Sequence, residues 1–324
     1  MTKEEEYKQI MELVNTQKLE ERMRKCQMVF QEFGEENFYI SFSGGKDSMV
    51  MHELIDLACP NNTIPRVYAD TGIEYNAIRE FVKELAANDN RFVIIEPKTP
   101  IKQMLETEGY PFKSKWHGRI HESFRNKGRN CRHVLTYLGE MPAKSGKYIT
   151  GDHACPKILR YQFEEGALSF PISQKCCDRL KKDPLHEYEV KNNKPYKILG
   201  ILREEGGQRD SAQCLAFRNN KMYAFQPLAP LTKEWEEWFI RVQGIKLCKL
   251  YYPPYNFDRT GCKGCPFNIN IQRELDTMEK FLPKEKAQCE RIWEPVYAEY
   301  RRLGYRLRPI SEGRQMSIEE FIGE

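Results

Sequence analysis

The chain has 324 residues, of which 40% are hydrophobic and 30% charged, with a formal net charge of +4. This composition is ordinary for a globular protein, and the length suggests about two modules. No run approaches the roughly 18 apolar residues of a membrane span, and the acidic, amphipathic N-terminus lacks the apolar core of a signal peptide. We therefore expect a cytoplasmic protein without membrane contact.

Strand and helix signals alternate in the first part of the chain. Residues 1–33 carry apolar positions at helical spacing among many charges and predict one or two surface helices. The strand-like runs that follow are "NFYISFS", "IPRVYAD" and "RFVIIEP", and a helical pattern comes after each one. This alternation predicts an α/β fold with a parallel sheet and helices on its faces.

The rest of the chain divides into less regular regions. Further strands are predicted in "KYITGD" and "YKILGIL", whereas the pattern weakens between Gly109 and Ser145, where we expect an insertion or mobile loop. From Thr232 onward the chain reads as mainly helical. The predicted regions are an N-terminal helical segment (1–33), an α/β domain (34–230) with a basic insert near 109–145, and a helical C-terminal region (231–324).

A glycine-rich turn ends the first predicted strand, in "FYISFSGGKDS". Ligands bind beyond the carboxyl ends of parallel strands, and two bare glycines let the backbone turn tightly and approach a ligand closely. The following helix would aim its free N–H groups at an anion. The candidate groups are Ser43, Gly44, Gly45, Lys46, Asp47 and Ser48. The stretch predicts a phosphate-binding loop that differs from the Walker pattern; a plain glycine turn is the alternative.

Four of the eleven cysteines are grouped in the sequence, as Cys176–Cys177 and as Cys262-x-x-Cys265. In a reducing compartment such cysteines indicate metal or redox chemistry rather than disulfides. A CxxC motif alone is a common zinc or structural motif, but adjacent cysteines are awkward for a zinc knuckle. Four thiolates can also hold a [4Fe–4S] cluster. Iron–sulfur, zinc and metal-free readings therefore all remain open at this point.

Three further groups of side chains suggest contacts with anions or a metal ion. Residues 112–133 hold seven Lys/Arg and three His against one acid, which suits a nucleotide or nucleic acid unless the stretch is merely a solvated basic loop. Arg203 and Arg209 could grip a phosphate or sulfate bidentately, or else bridge Glu204 and Glu205. Asp70, at the end of the second strand, could bind Mg²⁺ or a ribose.

Several motifs in order resemble one protein family. "SGGKDS" resembles the PP-loop of the adenine nucleotide alpha-hydrolase superfamily, and "YADTGIEYNAIREF" resembles the next motif of the phosphoadenylyl-sulfate (PAPS) reductase family. "CCDRLKKDPL" and "GILREEGGQR" resemble that family's paired-cysteine and arginine motifs. "PLAPLTKEWEEWFIRVQG" and "YYPPYNFDRTGCKGCPF" resemble the segment that leads to its closing CxxC. Together these stretches span residues 38 to 267.

This resemblance implies a Rossmann-like sheet with an adenine nucleotide, either ATP or adenylyl sulfate/PAPS, bound at the loop with Mg²⁺. It implies catalytic roles for Lys46, Asp47, Arg203 and Arg209, and nucleotide contacts from Asp70, Thr71 and Gly72. It further implies that the four grouped cysteines hold a [4Fe–4S] cluster, as in the adenylyl-sulfate reductase subgroup. The 84 residues between Cys177 and Cys262 suit that arrangement.

The resemblance breaks at the C-terminus, because the reductases carry a nucleophilic cysteine in a short tail and this chain has no cysteine after Cys289. We therefore favour an ATP pyrophosphatase that adenylylates an acceptor for sulfur transfer, as PP-loop tRNA thiolases and DNA phosphorothioation proteins do. The basic segment 112–133 points to a nucleic-acid acceptor, and a sulfur donor or thioredoxin-type protein is a possible partner. The alternatives are an adenylyl-sulfate or PAPS reductase and a non-catalytic nucleotide-sensing or nucleic-acid-binding module.

Overall fold

The computed structural model describes residues 2–206 and 209–310. The chain forms two compact units, each built from two segments. The first unit combines Met1–Lys98 with Leu180–Gly261, and the second combines Thr99–Arg179 with the segment that begins at Cys262. The boundaries predicted after residues 33 and 230 refer to sequence regions and stay a prediction, and residues 311–324 of the last region lie outside the described residues.

The first unit contains a six-stranded sheet of order β3-β2-β1-β4-β6-β5. The strands are β1 (Phe38–Phe42), β2 (Arg66–Ala69), β3 (Phe92–Ile95), β4 (Tyr196–Ile198), β5 (Leu215–Arg218) and β6 (Lys221–Phe225). All neighbouring pairs are parallel except β5 with β6, and Ile40 of the central strand pairs with Arg66 on one side and Ile198 on the other. The predicted parallel α/β sheet is confirmed.

The helices of the described chain follow the periodicity of its apolar residues. In chain order they are α1 (Lys3–Phe33), α2 (Lys46–Ala58), α3 (Asn76–Asn88), α4 (Ile101–Glu108), α5 (Lys115–Lys127), α6 (Arg132–Leu138), α7 (Asp183–Lys191), α8 (Lys233–Gln243), α9 (Ile271–Phe281), α10 (Pro283–Ile292) and α11 (Glu294–Leu303). In α3, for example, Ile78, Phe81 and Val82 share one face and are buried. Across the described residues, none of these helices is long and apolar enough to cross a membrane.

Two local predictions about the second unit were wrong. The stretch from Gly109 to Ser145 was predicted to be an insertion or mobile loop; it is not a loop, because it contains α5 and α6, which bury Ile120 and Val134, and its being an insertion stays a prediction. Their many basic residues mask the short apolar faces. "KYITGD" was predicted to be a strand, but its residues do not pair with a strand, and Tyr148 is 58% exposed. Without a partner strand or a buried face, the segment gains nothing from an extended conformation.

Strand order places the site in the first unit. The chain runs from β1 outward through β2 to β3, and then returns to add β4 on the opposite side of β1. The order of the strands therefore reverses between β1 and β4, and this is the point at which open parallel sheets leave a crevice for ligands. The loops that follow β1 and β4 border that crevice.

Candidate functional site

The glycine turn lies between β1 and α2, as expected for an anion-binding loop. Gly44 has φ +71°, and a Cβ there would lie 2.9 Å from methyl carbons of Ile78 and Val82, so only glycine fits. α2 begins at Lys46 with Gly45 as its N-cap, and no side chain caps it. The first N–H groups of the helix are therefore available to an anion or to a hydroxyl acceptor.

The two serines of the loop hold its shape. The Ser48 hydroxyl donates to the Gly45 carbonyl at 2.8 Å, and the Ser43 hydroxyl donates to Ser48 Oγ at 3.1 Å. Ser43 Oγ also accepts from the Gly45 N–H at 3.3 Å. Both side chains are thus engaged within the loop, so the candidates to meet a ligand are the other N–H groups at the start of α2 and the Lys46 side chain.

Tyr251 and Thr260 belong to the site but were not predicted. The Lys46 N–H donates to the Tyr251 hydroxyl at 3.0 Å, and Tyr251 Oη lies 2.6 Å from Thr260 Oγ1. A Cβ at Gly45 would meet both hydroxyl oxygens at 3.2 and 3.3 Å. These hydroxyls occupy the position in front of the helix N-terminus that a phosphate oxygen would take. No local pattern announces them, because 205 residues separate Tyr251 from Lys46.

Glu236 is a second unpredicted member of the site. Its side chain is 1% exposed, its Oε2 lies 3.5 Å from Lys46 Nζ, and neither carboxylate oxygen has a hydrogen-bond partner among the described residues. Burial, helped by the neighbouring Asp47 carboxylate and opposed by Lys46, raises the pKa of Glu236 to about 7. Two acids, Asp47 and Glu236, thus lie close to Lys46 at the start of α2. The net charge of this group near neutral pH changes with the protonation of Glu236.

Replacing Glu236 should change how stability depends on pH. Folding raises this pKa from its ordinary value near 4.5 to about 7. The stability that the bound proton contributes is therefore complete below pH 4.5, and it is lost as the pH rises through 7. The wild type loses this stability as the pH rises, whereas Glu236→Gln has no such proton to lose. We therefore expect the free energy of unfolding of Glu236→Gln, relative to that of the wild type, to increase by about 2 kcal/mol from pH 5 to pH 8. Urea unfolding at both pH values measures this. The exposed neighbour Glu237 provides a control (Glu237→Gln), and parallel pH profiles for Glu236→Gln and wild type would contradict the assignment.

The two candidate arginines differ in their partners. Arg209 forms an ion pair with Glu205, which is the alternative to anion binding that the sequence left open. The Arg203 Nε donates to the Ala229 carbonyl at 3.2 Å. Burial and nearby Arg259 lower the pKa of Arg209, and the carboxylate of Asp47 opposes this. Arg209 also lines a cavity of about 390 Å³ together with Ile201, Ser211, Ala212, Gln213, Ala216, Phe217, Tyr223 and Gln226. Of the two candidate arginines, Arg209 lines this cavity, and its charge also interacts with that of Asp47 at the start of α2.

Asp70, Thr71 and Gly72 form a turn at the carboxyl end of β2. Asp70 accepts from the Gly72 N–H at 3.1 Å and from Arg79 Nε at 2.9 Å. Thr71 donates its hydroxyl to Glu74 at 2.7 Å. The carboxylate of Asp70 is therefore already paired with a guanidinium, and its predicted contact with a ribose or Mg²⁺ would require that ion pair to be shared.

The four grouped cysteines converge in the second unit. A hydrogen bond to Cys177, burial and the charges of Cys177, Cys265 and Cys262 all raise the pKa of Cys176. Burial, Cys262 and Cys177 likewise raise the pKa of Cys265, which accepts a hydrogen bond from the Phe267 N–H. In the described part of the chain, no three His, Cys, Asp or Glu side chains are arranged to hold one metal ion. Four cysteine thiolates are a donor set that suits either a zinc ion or an iron–sulfur cluster.

Cys289 lies on α10 and is fully buried. A Cβ at Gly264, inside the CxxC turn, would come within 2.9 Å of the Cys289 sulfur. Burial raises the pKa of this thiol, so it stays protonated and unreactive. The side chain packs against the turn that carries Cys262 and Cys265.

We expect Cys289→Ser to keep nucleotide turnover and cluster content, and to change the free energy of unfolding by at most about 1–2 kcal/mol. Anaerobic purification, iron analysis and denaturant titration measure these three properties. Loss of sulfite formation in this variant, with its fold and iron content intact, would instead identify Cys289 as a reductase nucleophile.

The parallel sheet, with a glycine turn leading into a helix at its switch point, defines an α/β protein with a Rossmann-like sheet. The profile described as "Phosphoadenosine phosphosulfate reductase domain" matches residues 37–134 and 124–268. These matches cover well over half of the chain, and the chain belongs to this family. A search of curated proteins found no match.

Solved structures of similar fold include three enzymes. PAPS reductase from Candida auris in a phosphate complex is 11% identical, with 71% of this chain and 82% of that chain covered at a TM-score of 0.40. NH3-dependent NAD synthetase from Campylobacter jejuni is 13% identical (87% and 94% covered, TM-score 0.37). The U34-tRNA thiolase from Methanococcus maripaludis with its [4Fe–4S] cluster is 14% identical (90% and 80% covered, TM-score 0.35). Likeness at this level carries no functional assignment.

Proposed function

We propose that this protein is an ATP pyrophosphatase that adenylylates an acceptor for sulfur transfer and holds a [4Fe–4S] cluster. The observation that carries the proposal is the loop at the switch point, where Gly44 and Gly45 lead into α2 and the N-cap residue Gly45 has no side chain to cap the helix. Such a loop supports binding of a nucleotide's phosphates. Arg209, whose charge interacts with that of Asp47, lines a cavity of about 390 Å³, a volume within the range of small-molecule sites.

The proposed reaction is a displacement at the α-phosphorus of ATP. An acceptor oxygen forms a bond to this phosphorus, the bond to the α–β bridging oxygen breaks, and pyrophosphate leaves with that electron pair. The acceptor's proton passes to solvent or to a carboxylate of the Asp47–Glu236 pair. Lys46 and the N–H groups of α2 stabilise the charge that develops on the phosphates. For the leaving group to reach the amides, the Tyr251 hydroxyl must give up its bond to the Lys46 N–H.

Mg²⁺ fits the same residues. This ion commonly binds one or two carboxylates together with substrate phosphates, and Asp47 and Glu236 supply two carboxylates at the start of α2. Both oxygens of Glu236 lack a hydrogen-bond partner in the described chain. A bound Mg²⁺ would neutralise phosphate charge, and it would hold Glu236 ionised at neutral pH.

The cysteine quartet fits a [4Fe–4S] cluster. Cys177 and Cys262 lie close enough to raise the pKa of both Cys176 and Cys265, so as free thiolates the four would repel one another. Ligation to iron removes that penalty, and the Phe267 N–H offers the kind of hydrogen bond that tunes cluster sulfurs. The cluster would supply iron sites for sulfur chemistry or electron transfer. The second unit's own contribution is to hold four thiols in partly buried positions.

A reductase of adenylyl sulfate or PAPS is the second candidate, because it is the activity that gives the family its name. In that reaction a cysteine thiolate forms a bond to the sulfonyl sulfur, and the nucleotide leaves. A thioredoxin-type protein then reduces the thiosulfonate and releases sulfite. The buried, protonated Cys289 does not meet this requirement. We therefore place the adenylylating reaction first.

The two candidates predict different products from the same preparation. Protein purified without oxygen is incubated with Mg²⁺ and either ATP, adenylyl sulfate or PAPS, with total tRNA or denatured DNA as the acceptor. We expect pyrophosphate from ATP and no sulfite from the sulfated nucleotides. Sulfite release with thioredoxin, and no pyrophosphate, would support the reductase. Nucleotide binding without either product would support a non-catalytic module.

A further inference from the structure

The second unit has a cavity of about 300 Å³ that the proposed reaction does not use. It lies between α5 and the loop 164–172. Its lining combines aromatic rings with charged and polar groups, among them His121, Phe124, Arg125, Gln162, Glu164 and Phe170. The loop is held in place at its end, where the Tyr110 N–H donates to the Pro171 carbonyl at 2.8 Å and the Ser173 N–H donates to the Tyr110 carbonyl at 2.8 Å.

His121 lines this cavity with an unused polar atom. Its side chain is 4% exposed, and its Nε2 has no hydrogen-bond partner among the described residues. One turn earlier on α5, His117 is buried too, but its ring nitrogens lie 2.9 Å from Tyr137 Oη and 3.0 Å from Gln162 Oε1. His117 is thus a satisfied core histidine. Gln162 contacts the His121 ring and opposes the lowering of its pKa, while Nε2 is a buried polar atom that a ligand in the cavity would satisfy.

The ring of His121 is fixed and neutral. It stacks on Phe163 with 4.3 Å between centroids and 25° between planes. Burial, with nearby Arg125, lowers the pKa of His121 to about 3. A neutral imidazole can donate or accept one hydrogen bond at Nε2, according to its tautomer. It therefore presents a directional bond without a charge to the cavity.

Arg125 supplies the charged edge of the cavity. Its guanidinium is anchored through Nη1 to the Ile172 carbonyl, which orients the planar group. Glu164, an exposed residue, also lines this space, and its carboxylate can accept a hydrogen bond from an amine. Phe124 and Phe170 add flat apolar surface. A guanidinium, a carboxylate, an imidazole nitrogen and two aromatic rings around one small space match the edges and faces of a planar heteroaromatic base.

We propose that this cavity binds a single unpaired nucleobase of a nucleic-acid acceptor. The volume suits one ring system rather than a base pair, and exposed Lys127 at the end of α5 can meet the adjoining phosphate. The loop that closes the cavity runs from Ile172 into the Cys176–Cys177 pair, so the base binds on the segment that carries two cluster thiols. The proposal rests on the proposed function only in naming the acceptor, since base binding itself requires no ATP.

A single-stranded oligonucleotide with 2-aminopurine at its centre tests this. We expect fluorescence quenching when it binds the wild-type protein, and little binding of the matching duplex. Arg125→Ala should weaken binding about tenfold. Ala167→Trp places a large ring at a half-buried position of the cavity lining, leaves His121 unchanged, and should abolish the quenching. Arg119→Ala is the matched control, because Arg119 is exposed on the opposite face of α5.

The control should lower the salt dependence of binding while the quenching stays unchanged. Equal weakening by Arg119→Ala and Arg125→Ala, or quenching that survives Ala167→Trp, would overturn the base site and leave only electrostatic attraction. Absence of binding by the wild type would overturn it as well. None of these readouts involves pyrophosphate, so the base site and the ATP reaction can fail independently.

Discussion

Gly45→Val should eliminate measurable binding of adenine nucleotides, and Lys46→Ala should weaken it by about 1.5–3 kcal/mol, the scale of a hydrogen bond to a charged group. A side chain at residue 45 enters the space where the Ser43, Tyr251 and Thr260 oxygens lie within 3.2–3.3 Å of the Cβ position. The added methyl groups of valine would fill the approach to the α2 amides. Loss of Lys46 removes one charge but leaves those amides accessible.

Calorimetric titration with ATP and with adenylyl sulfate measures both variants. Gly261→Val is the matched control, because a Cβ at Gly261 meets nothing within 4 Å and its backbone does not require glycine. We expect the control to bind as the wild type does. Unchanged nucleotide affinity in both Gly45→Val and Lys46→Ala would show that the loop does not hold phosphate.

Serine in place of any one of Cys176, Cys177, Cys262 or Cys265 should remove the iron–sulfur cluster. Wild-type protein prepared without oxygen should be brown, with broad visible absorbance and about four irons per chain. Each serine variant loses a thiolate that the cluster needs, and a hydroxyl is a much poorer iron ligand. Absorbance and iron analysis on the four variants measure this.

Cys131→Ser serves as the cysteine control, because Cys131 is half-buried in the same unit, outside the four grouped cysteines, and its thiol donates to the Ser123 carbonyl at 3.8 Å. It should keep its colour and its iron. A colourless wild-type protein with stoichiometric zinc would contradict the cluster and favour a zinc site. A protein with neither metal would leave the four thiols a structural role.

The sheet and the loop could be predicted because their signals are local. Short apolar runs rich in aromatic and β-branched residues, such as Phe38–Phe42, are typical of buried strands in a parallel sheet. The glycines Gly44 and Gly45 then mark the turn that follows. The β5–β6 hairpin was missed. Its turn at Asn219–Asn220 has φ of 50° and 60°, a conformation that asparagine tolerates, and this pair was the available signal.

Tertiary contacts account for what the sequence could not provide. Glu236 and Tyr251 reach the loop from segments about 200 residues away, and their neighbours in sequence give no sign of that return. Glu236 in particular sits between Trp235 and Glu237 on an amphipathic helix, where a charged residue normally faces water. Only the position of α8 in the fold turns this carboxylate toward Lys46.

The product of ATP cleavage tests the central claim most directly. Phosphorus NMR follows anaerobically prepared protein with ATP, Mg²⁺ and an RNA or single-stranded DNA acceptor. We predict the resonance of pyrophosphate and an α-phosphate carried on AMP or on the acceptor, because attack at the α-phosphorus breaks the α–β bridge. Formation of ADP with inorganic phosphate, or no change in ATP while parallel samples release sulfite from adenylyl sulfate, would contradict the adenylylating function.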